Sequence, residues 1–489
     1  MSDAKAAKGV AYRWVAMGVV LFGTFMVVLD TTVVNLGLPS MQRDFGTVDG
    51  VEWVVTAYLA AVGIAHMSSG WVADHFGRKQ AFIAAMWVFI VGSVLCAAAP
   101  SLEVLVAARV VQGIGGGVLL PVAVSTIYEL FEPDERGRAM GIYGIAVMVA
   151  PAVGPVLGGG LVQAGGWRWL FIINIPIGLV AVPVAMRYLR DSGFRNDRPL
   201  DVWGLLLSGI GMALLLVGLS LGGINGWDRP VVIVALVASA VVLVVFCLHA
   251  LRTPHPLVDM RILTRRVFAV GMVALGLLSV VQYSRLVYVP LELGSARGVS
   301  ELQIGLIMLP SAIGIAVMMP LGGRMADKVG ARLPVIIGVV LLLASFWPLA
   351  HLSTDTSLVT ISAILFLGGL GSGLALMAPN ILAMNSVPMK EVSQASGLSA
   401  VSRQLSAAVG TAILAAVFAT IRPPGSPDSS NAAAYIDSYN TVFMIGFGVL
   451  VALLAVSMFL PGKSVARRLQ QERSAEAAEL HAAVAATDS

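Results

Sequence analysis

Four charged side chains lie inside long apolar stretches of the sequence, at Asp30, Arg109, Arg285 and Arg403. A charge at the centre of a membrane helix costs about 2.5–3.5 kcal/mol on insertion scales, so each is a candidate for function. At a rise of about 1.5 Å per residue, Asp30 and Arg109 both lie roughly 9–12 Å below the same membrane surface, where they can meet. Gln112 follows Arg109 by about one helical turn and shares its face.

A carboxylate binds a proton more readily when it is alone in a dry cavity than when it is paired with an arginine. Making and breaking an Asp30–Arg109 pair would therefore load and release a proton. We predict that Asp30 carries a coupling proton and that Arg109 modulates it. A static structural ion pair is the alternative.

A second polar group lies near the outer end of a later apolar stretch. Arg285 and Glu292 are two helical turns apart there, so long side chains could bridge them, and Arg285 could instead bind an anionic headgroup or act as a second coupling partner. We predict a substrate cavity, with ordinary packing as the alternative for its aromatic residues. Its predicted residues are Gln112, Trp53, Tyr58, Tyr143, Gln282, Tyr283, Arg285 and Glu292.

The amino-acid composition indicates a membrane protein, with much of its surface in contact with lipid. Of the 489 residues, 58% are hydrophobic and 12% are charged, whereas about 25% of residues are charged in soluble domains. The mean hydropathy is +0.88. Apolar stretches of about 20 residues can cross a bilayer as helices. Fourteen such spans are predicted, near 14–38, 50–71, 81–99, 103–128, 138–161, 168–188, 203–223, 230–251, 267–290, 302–322, 333–351, 357–380, 394–420 and 440–461.

Positive charge orients these spans. With a cytoplasmic N-terminus, 23 of the 31 lysines and arginines lie in cytoplasmic segments, five lie in outer segments and three lie within spans. Cytoplasmic loops of membrane proteins carry such an excess of lysine and arginine. We therefore predict a multi-pass protein of the inner or plasma membrane with both termini in the cytoplasm.

Two cytoplasmic loops share one motif. Residues 70–79 and 323–332 both read G-x-x-x-D-x-x-G-x-[KR] and lie eight spans apart. Like loops at like positions indicate two homologous halves of six spans, with two extra spans between them. The predicted organisation is a cytoplasmic tail 1–13, a six-helix bundle 14–188, a two-helix insertion with linkers 189–266, a second six-helix bundle 267–461 and a cytoplasmic tail 462–489.

The charges of these loops suit salt bridges across the cytoplasmic face, and Asp74 can also contact another helix N-terminus or an arginine. We predict a conformational latch that stabilises the outward-facing state, with plain cytoplasmic positive charge as the alternative. The predicted members of the latch are Asp74, Arg78, Lys79, Glu129, Arg138, Asp327 and Arg332.

The duplicated loop resembles the signature of the major facilitator superfamily. Fourteen spans, two of them central extras, resemble its drug:proton antiporter family of the EmrB/QacA type. Further segments similar to motifs of that family are 30–39, 109–115, 154–159 and 167–178, and the likeness covers nearly all of 12–461.

The resemblance implies an all-α major facilitator fold that exports compounds in exchange for protons by alternating access. It also implies that an antiporter motif lies in the fifth span, although generic packing of small residues is the alternative. The predicted motif residues are Gly154, Pro155, Gly158 and Gly159.

The sequence holds neither a G-x-x-x-x-G-K-[ST] nucleotide loop nor an H-E-x-x-H zinc motif. We predict a monomeric transporter, not an enzyme, with protons as the coupling ion and no other cofactor. Its expected partners are a small amphiphilic substrate and membrane lipids, without nucleic acid. The leading interpretation is efflux of amphiphilic cationic drugs. The alternatives are a lipid or lipid-like metabolite transporter and, remotely, an intramembrane enzyme or receptor.

Overall fold

The computed structural model describes residues 2–46, 50–51, 53–132, 135–190, 199–388, 391–423 and 431–465, together with residues 468 and 471. Within these residues the chain is helical and contains no β-strand, as predicted. Its α-helices are α1 (Ser2–Phe45), α2 (Trp53–Phe76), α3 (Arg78–Ala97), α4 (Leu102–Leu130), α5 (Arg136–Gly165), α6 (Trp169–Ile172), α7 (Asn174–Tyr188), α8 (Val202–Asn225), α9 (Pro230–Arg252), α10 (Arg266–Leu291), α11 (Glu301–Val329), α12 (Arg332–Leu349), α13 (Leu358–Asn385), α14 (Val392–Ile421) and α15 (Ala432–Ser457).

Twelve helices of the described residues are long and apolar enough to cross a membrane, where α6 and α7 together form one of the twelve. The polytopic all-α fold class is therefore confirmed. Helices α2 and α5 coincide with the predicted spans 50–71 and 138–161 but are not among the twelve. The total of fourteen spans stays a prediction.

The helices form two compact units. Unit 1 comprises Met1–Phe131, Val149–Arg261 and Glu391–Val401, and unit 2 comprises Glu132–Met148, Ile262–Lys390 and Ser402–Ser489. In unit 1, α4 packs against α2 and α3, and α8 packs against α2 and α9. In unit 2, α13 packs against α10, α11 and α12. The predicted division into two bundles, an insertion and two tails stays a prediction.

The two motif loops have the same backbone turn. Gly77 separates α2 from α3 with φ 85° and ψ 145°, and Gly330 separates α11 from α12 with φ 85° and ψ 169°. A side chain is rarely tolerated at such a φ, so glycine at this motif position allows one helix to end and the next to begin at once. The shared turn extends the repeat from sequence to conformation.

Asp201 connects the start of α8 with the end of α9. Its carboxylate accepts hydrogen bonds from the backbone N–H of Gly204 at 2.8 Å and of Leu257 at 3.1 Å, and it lies 2.8 Å from His249 Nε2. Burial alone would raise the pKa of Asp201, but these hydrogen bonds lower it below its usual value. One carboxylate therefore joins the start of α8, the end of α9 and the linker that follows.

Candidate functional site

Asp30 is the centre of a buried polar cluster in unit 1. Its side chain is inaccessible to solvent. It accepts hydrogen bonds from Arg109 Nη1 at 2.7 Å, Gln112 Nε2 at 2.9 Å and Asn174 Nδ2 at 2.9 Å. Donors from α4 and α7 therefore converge on one carboxylate of α1, and they offset the cost of burying its charge.

Arg109 has several further partners in the same unit. Its Nε donates to the Val54 carbonyl at 3.1 Å, and its Nη1 also donates to Gln112 Oε1 at 2.6 Å. The guanidinium lies 3.9 Å from the centroid of the Tyr58 ring and 5.6 Å from that of Phe171, within range of cation–π attraction. Tyr58 and Gln112, which were predicted to line a cavity, are both buried in this cluster.

Two members of the cluster were not among the predicted site residues. Asn174 begins α7, and the Ser93 hydroxyl of α3 accepts from Gln112 Nε2 at 2.8 Å and from Asn174 Nδ2 at 3.4 Å. Asn174 lies in one of the segments that resemble family motifs, which was the available signal for it. Ser93 lies in an apolar stretch without such a signal, and only helix packing brings it to the cluster.

Gly92 allows α3 and α4 to approach at this point. A Cβ on Gly92 would lie 2.5 Å from the Gln112 Cα and 2.6 Å from its nitrogen. Such a distance to backbone atoms cannot be relieved by rotating a side chain. Glycine is therefore required for the separation of α3 and α4 that brings Gln112 to Ser93.

Unit 2 contains a different arginine cluster. Arg285 of α10 is 4% exposed, and its Nη2 donates to Gln282 Oε1 at 3.0 Å and to Ser372 Oγ at 3.3 Å. Its Nη1 has no hydrogen-bond partner among the described residues. Gln282 is half-buried and Tyr283 is exposed, so the polar group extends from the interior of unit 2 to its surface.

The predicted pairing of Arg285 with Glu292 is wrong. Glu292 is paired with Arg297, whose Nε lies 2.5 Å from Glu292 Oε1. A π-helical turn, Glu292–Ala296, follows α10. Because a π-turn brings residues five apart together, Glu292 meets Arg297 there and not the residue two turns earlier.

The remaining predicted cavity residues are Trp53 and Tyr143, which lie in different units. Trp53 begins α2 and is half-buried in unit 1. Tyr143 is 7% exposed in unit 2, where it and Tyr283 lie within electrostatic range of Arg403.

In unit 1, two basic residues of the predicted latch contact the ends of neighbouring helices. Arg78 forms an ion pair with Glu129, and Lys79 Nζ donates to the Met186 carbonyl at 2.8 Å. Asp74 lines a pocket together with Gln394 of the first turn of α14.

In unit 2, Asp327 lies against the first turn of α5. A Cβ on Gly137 would meet both the Asp327 carboxylate and the Gly323 carbonyl. Arg332 Nε donates to the Leu460 carbonyl at 2.8 Å, and Arg138 is exposed. A carboxylate at a helix N-terminus is stabilised by the backbone dipoles there.

The glycines of the predicted antiporter motif differ in what they face. A Cβ on Gly154 would lie 3.0 Å from Thr32, and one on Gly158 would lie 2.8 Å from Leu36, both in α1. A Cβ on Gly159 would meet nothing within 4 Å. The side chain of Pro155 lies outside the described residues. In this part of α5, Gly154 and Gly158 therefore give close packing against the helix that carries Asp30.

Residues 20–411 match the family described as the Major Facilitator Superfamily. The chain belongs to the major facilitator superfamily. This superfamily consists of transporters and not of enzymes, so the chain is an integral membrane transporter.

Individual major facilitator proteins are similar over most of the chain. The Multidrug resistance protein B homolog of Mycobacterium tuberculosis (strain ATCC 25618 / H37Rv) is 30% identical over 490 residues, covering 92% of this chain and 90% of the relative. The uncharacterized MFS-type transporter YhcA of Bacillus subtilis (strain 168) is 31% identical over 401 residues, covering 82% of this chain and 75% of the relative.

Solved structures show the same fold at low sequence identity. The proton:xylose symporter XylE has a TM-score of 0.61 at 14% identity, covering 93% of this chain and 97% of that one. The human organic anion transporter MFSD10 has a TM-score of 0.59 at 16% identity, covering 90% of this chain and 99% of that one. Both likenesses concern the fold alone.

Proposed function

We propose that this major facilitator transporter is a drug:proton antiporter that exports amphiphilic cationic compounds by alternating access. The observation that carries the proposal is the buried Asp30–Arg109 pair, because a carboxylate at this depth can exchange a proton for a substrate charge. The similarity to a protein named for multidrug resistance supports the class of cargo. We also propose that the chain has fourteen spans and belongs to the EmrB/QacA-type subfamily.

The partners of Arg109 support a proton-loading step. When Asp30 takes up a proton its charge disappears, and Arg109 keeps the Val54 carbonyl and Gln112 Oε1 as acceptors. The arginine is therefore not left without hydrogen-bond acceptors when the acid is neutral. Loss of the ion pair loosens α1 from α4, and α5 follows α1 because Gly154 and Gly158 pack against it.

The transporter acts as a monomer in the inner or plasma membrane with both termini in the cytoplasm, and protons are its coupling ion. The motif loops act as the latch of the outward-facing state. The contacts of Asp327 with the first turn of α5 and of Arg78 with Glu129 support that role.

The test uses purified protein in liposomes with an imposed proton gradient, following a fluorescent cationic dye and the lumenal pH together. We expect dye transport with matching proton counterflow in the wild type, and loss of both in Asp30→Asn. Asp44→Asn is the matched control, because Asp44 lies on the same helix but its side chain is 50% exposed. Full proton-driven transport by Asp30→Asn would show that the Asp30–Arg109 pair is a static structural contact without a role in coupling.

A second candidate function keeps the fold and changes the cargo to lipids or lipid-like metabolites. Arg285 favours it, since an uncompensated buried arginine repels a cation and attracts an anionic headgroup. Transfer of a labelled lipid between leaflets of the same vesicles, without dye movement, would select this candidate over the first.

A further inference from the structure

Arg285 is a buried charge, and proton-coupled export at Asp30 does not require it. A guanidinium has five N–H donors and no acceptor. The described contacts of Arg285 use Nη2 for Gln282 and Ser372 and leave Nη1 without a partner. Burying a polar donor without an acceptor is costly, so the unused N–H groups call for an acceptor from outside the chain.

No described carboxylate compensates Arg285. Glu292, the nearest acid along α10, is paired with Arg297. The groups that do contact Arg285 are an amide and a hydroxyl, both neutral. An arginine buried without a counter-ion carries a net positive charge into the interior of unit 2, where it attracts an anion strongly.

Small and hydroxylated side chains surround the unused donors. A Cβ on Gly368 of α13 would meet Arg285 Nη1 and would lie 2.6 Å from Ser345 Oγ of α12. Ser345 Oγ donates to the Ile364 carbonyl at 2.8 Å. Glycine at 368 thus allows Nη1 to lie against the backbone of α13, where α10, α12 and α13 meet.

In the two sequence repeats, the position of Arg285 is similar to that of Asp30, but the two side chains have opposite charges. Asp30 lies 44 residues before Asp74 in the first half, and Arg285 lies 42 residues before Asp327 in the second. The two residues therefore lie at a similar distance along the chain from their motif loops, on the corresponding helices α1 and α10. Where the first half holds a compensated acid, the second holds an uncompensated base.

The geometry points to an anion-binding subsite at Arg285, completed by Gln282 and Ser372, that takes the phosphate or carboxylate headgroup of an amphiphile. Guanidinium groups bind such oxygens through parallel charge-assisted hydrogen bonds. The inference rests on the transporter assignment and deepens the second candidate function. It does not depend on proton coupling at Asp30.

The first test measures binding to the purified full-length protein in detergent. Two probes share one tail, dodecyl phosphate and dodecyltrimethylammonium. We expect Arg285→Gln to weaken dodecyl phosphate binding about 10-fold or more, the loss of at least one charge-assisted hydrogen bond. Binding of the ammonium probe should be unchanged or tighter. Arg422→Gln, which removes an exposed arginine, should change neither.

A second variant protects the test against misfolding. Gly368→Ala keeps Arg285 but displaces its Nη1, so it should also weaken the binding of dodecyl phosphate and leave that of the ammonium probe unchanged. Equal affinity of Arg285→Gln and wild type for dodecyl phosphate would overturn the subsite. Failure of the wild type to bind dodecyl phosphate would also overturn the subsite.

Vesicles then identify the source of the anion. If labelled phosphatidylglycerol moves between leaflets in the wild type and stops in Arg285→Gln, the headgroup is that of a membrane lipid. If only soluble hexyl phosphate is transported, with the same dependence on Arg285, the anion comes from water. Transport of neither anion contradicts the inference, whereas dye–proton exchange through Asp30 would still stand and is scored separately.

Discussion

Arg109 in unit 1 and Arg285 in unit 2 are both buried in membrane helices, but they have different partners. Arg109 has a carboxylate, a carbonyl, an amide oxygen and two aromatic rings around it. Arg285 has an amide oxygen and a hydroxyl. The first arginine is paired with a buried acid of its own unit. The second lies where a charge from outside the chain can join it.

The largest expected difference is in stability. Arg109→Ala leaves the Asp30 carboxylate buried without its counter-ion and should cost about 3–5 kcal/mol. Arg285→Ala removes a charge without leaving another unpaired, so it should change the free energy of unfolding by less than about 1 kcal/mol. Thermal unfolding of the purified variants measures both. Equal destabilisation would erase the distinction between the two clusters.

Removing both charges of the first cluster sharpens the same comparison. In Asp30→Asn with Arg109→Ala, no buried charge remains unpaired, so we expect recovery of more than half of the stability lost in Arg109→Ala alone. A double variant that is as unstable as the single one would mean that packing of the arginine, and not its charge, supports unit 1.

Asn174 tests how much a single hydrogen-bond donor to Asp30 contributes to stability. Asn174→Ala removes one of the three donors to Asp30 and should cost about 1.5–3 kcal/mol, as expected for a hydrogen bond to a charged group. Combined with Asp30→Asn, the same change should cost clearly less, because the acceptor is then neutral. Thermal unfolding of the four proteins gives the coupling, and additive losses would show that Asn174 acts independently of the carboxylate.

A glycine borders each arginine cluster, and the two should respond differently to alanine. Gly92→Ala meets Gln112 backbone atoms and should cost about 1–3 kcal/mol by overpacking. Gly368→Ala meets the ends of the Arg285 and Ser345 side chains, which can turn away, so less than about 1 kcal/mol is expected. Gly159→Ala, with open space around it, is the control. A larger loss in Gly368→Ala would indicate that Arg285 is fixed in place.

Asp201 lies outside both arginine clusters, and its substitution should change the free energy of unfolding least. Asp201→Asn weakens the cap of α8 and should cost about 0.5–1 kcal/mol at pH 7. Because the folded-state pKa of Asp201 is lowered, its contribution is present above the unfolded pKa and is lost as pH falls through the folded value. The variant and wild type should therefore converge in stability in acid. A difference that persists there would exclude the charge as its cause.

Much of the fold could be predicted from sequence because a span is set by a local run of apolar residues. The contact between Asp30 and Arg109 followed from their matching depths. Ser93 could not be predicted, since its partners lie on other helices and depend on the close packing at Gly92. The Arg285–Glu292 prediction failed because it did not include the π-helical turn after α10, which brings Arg297 to Glu292 as a nearer partner.

The most direct test of the central claim measures protons released when substrate binds. Purified protein in weakly buffered detergent solution is mixed with a cationic dye, and a pH indicator follows the release. We predict that the wild type and Asp44→Asn release protons in proportion to the dye bound, and that Asp30→Asn binds dye without releasing any. Release from Asp30→Asn equal to that from the wild type would show that the coupling proton is carried elsewhere.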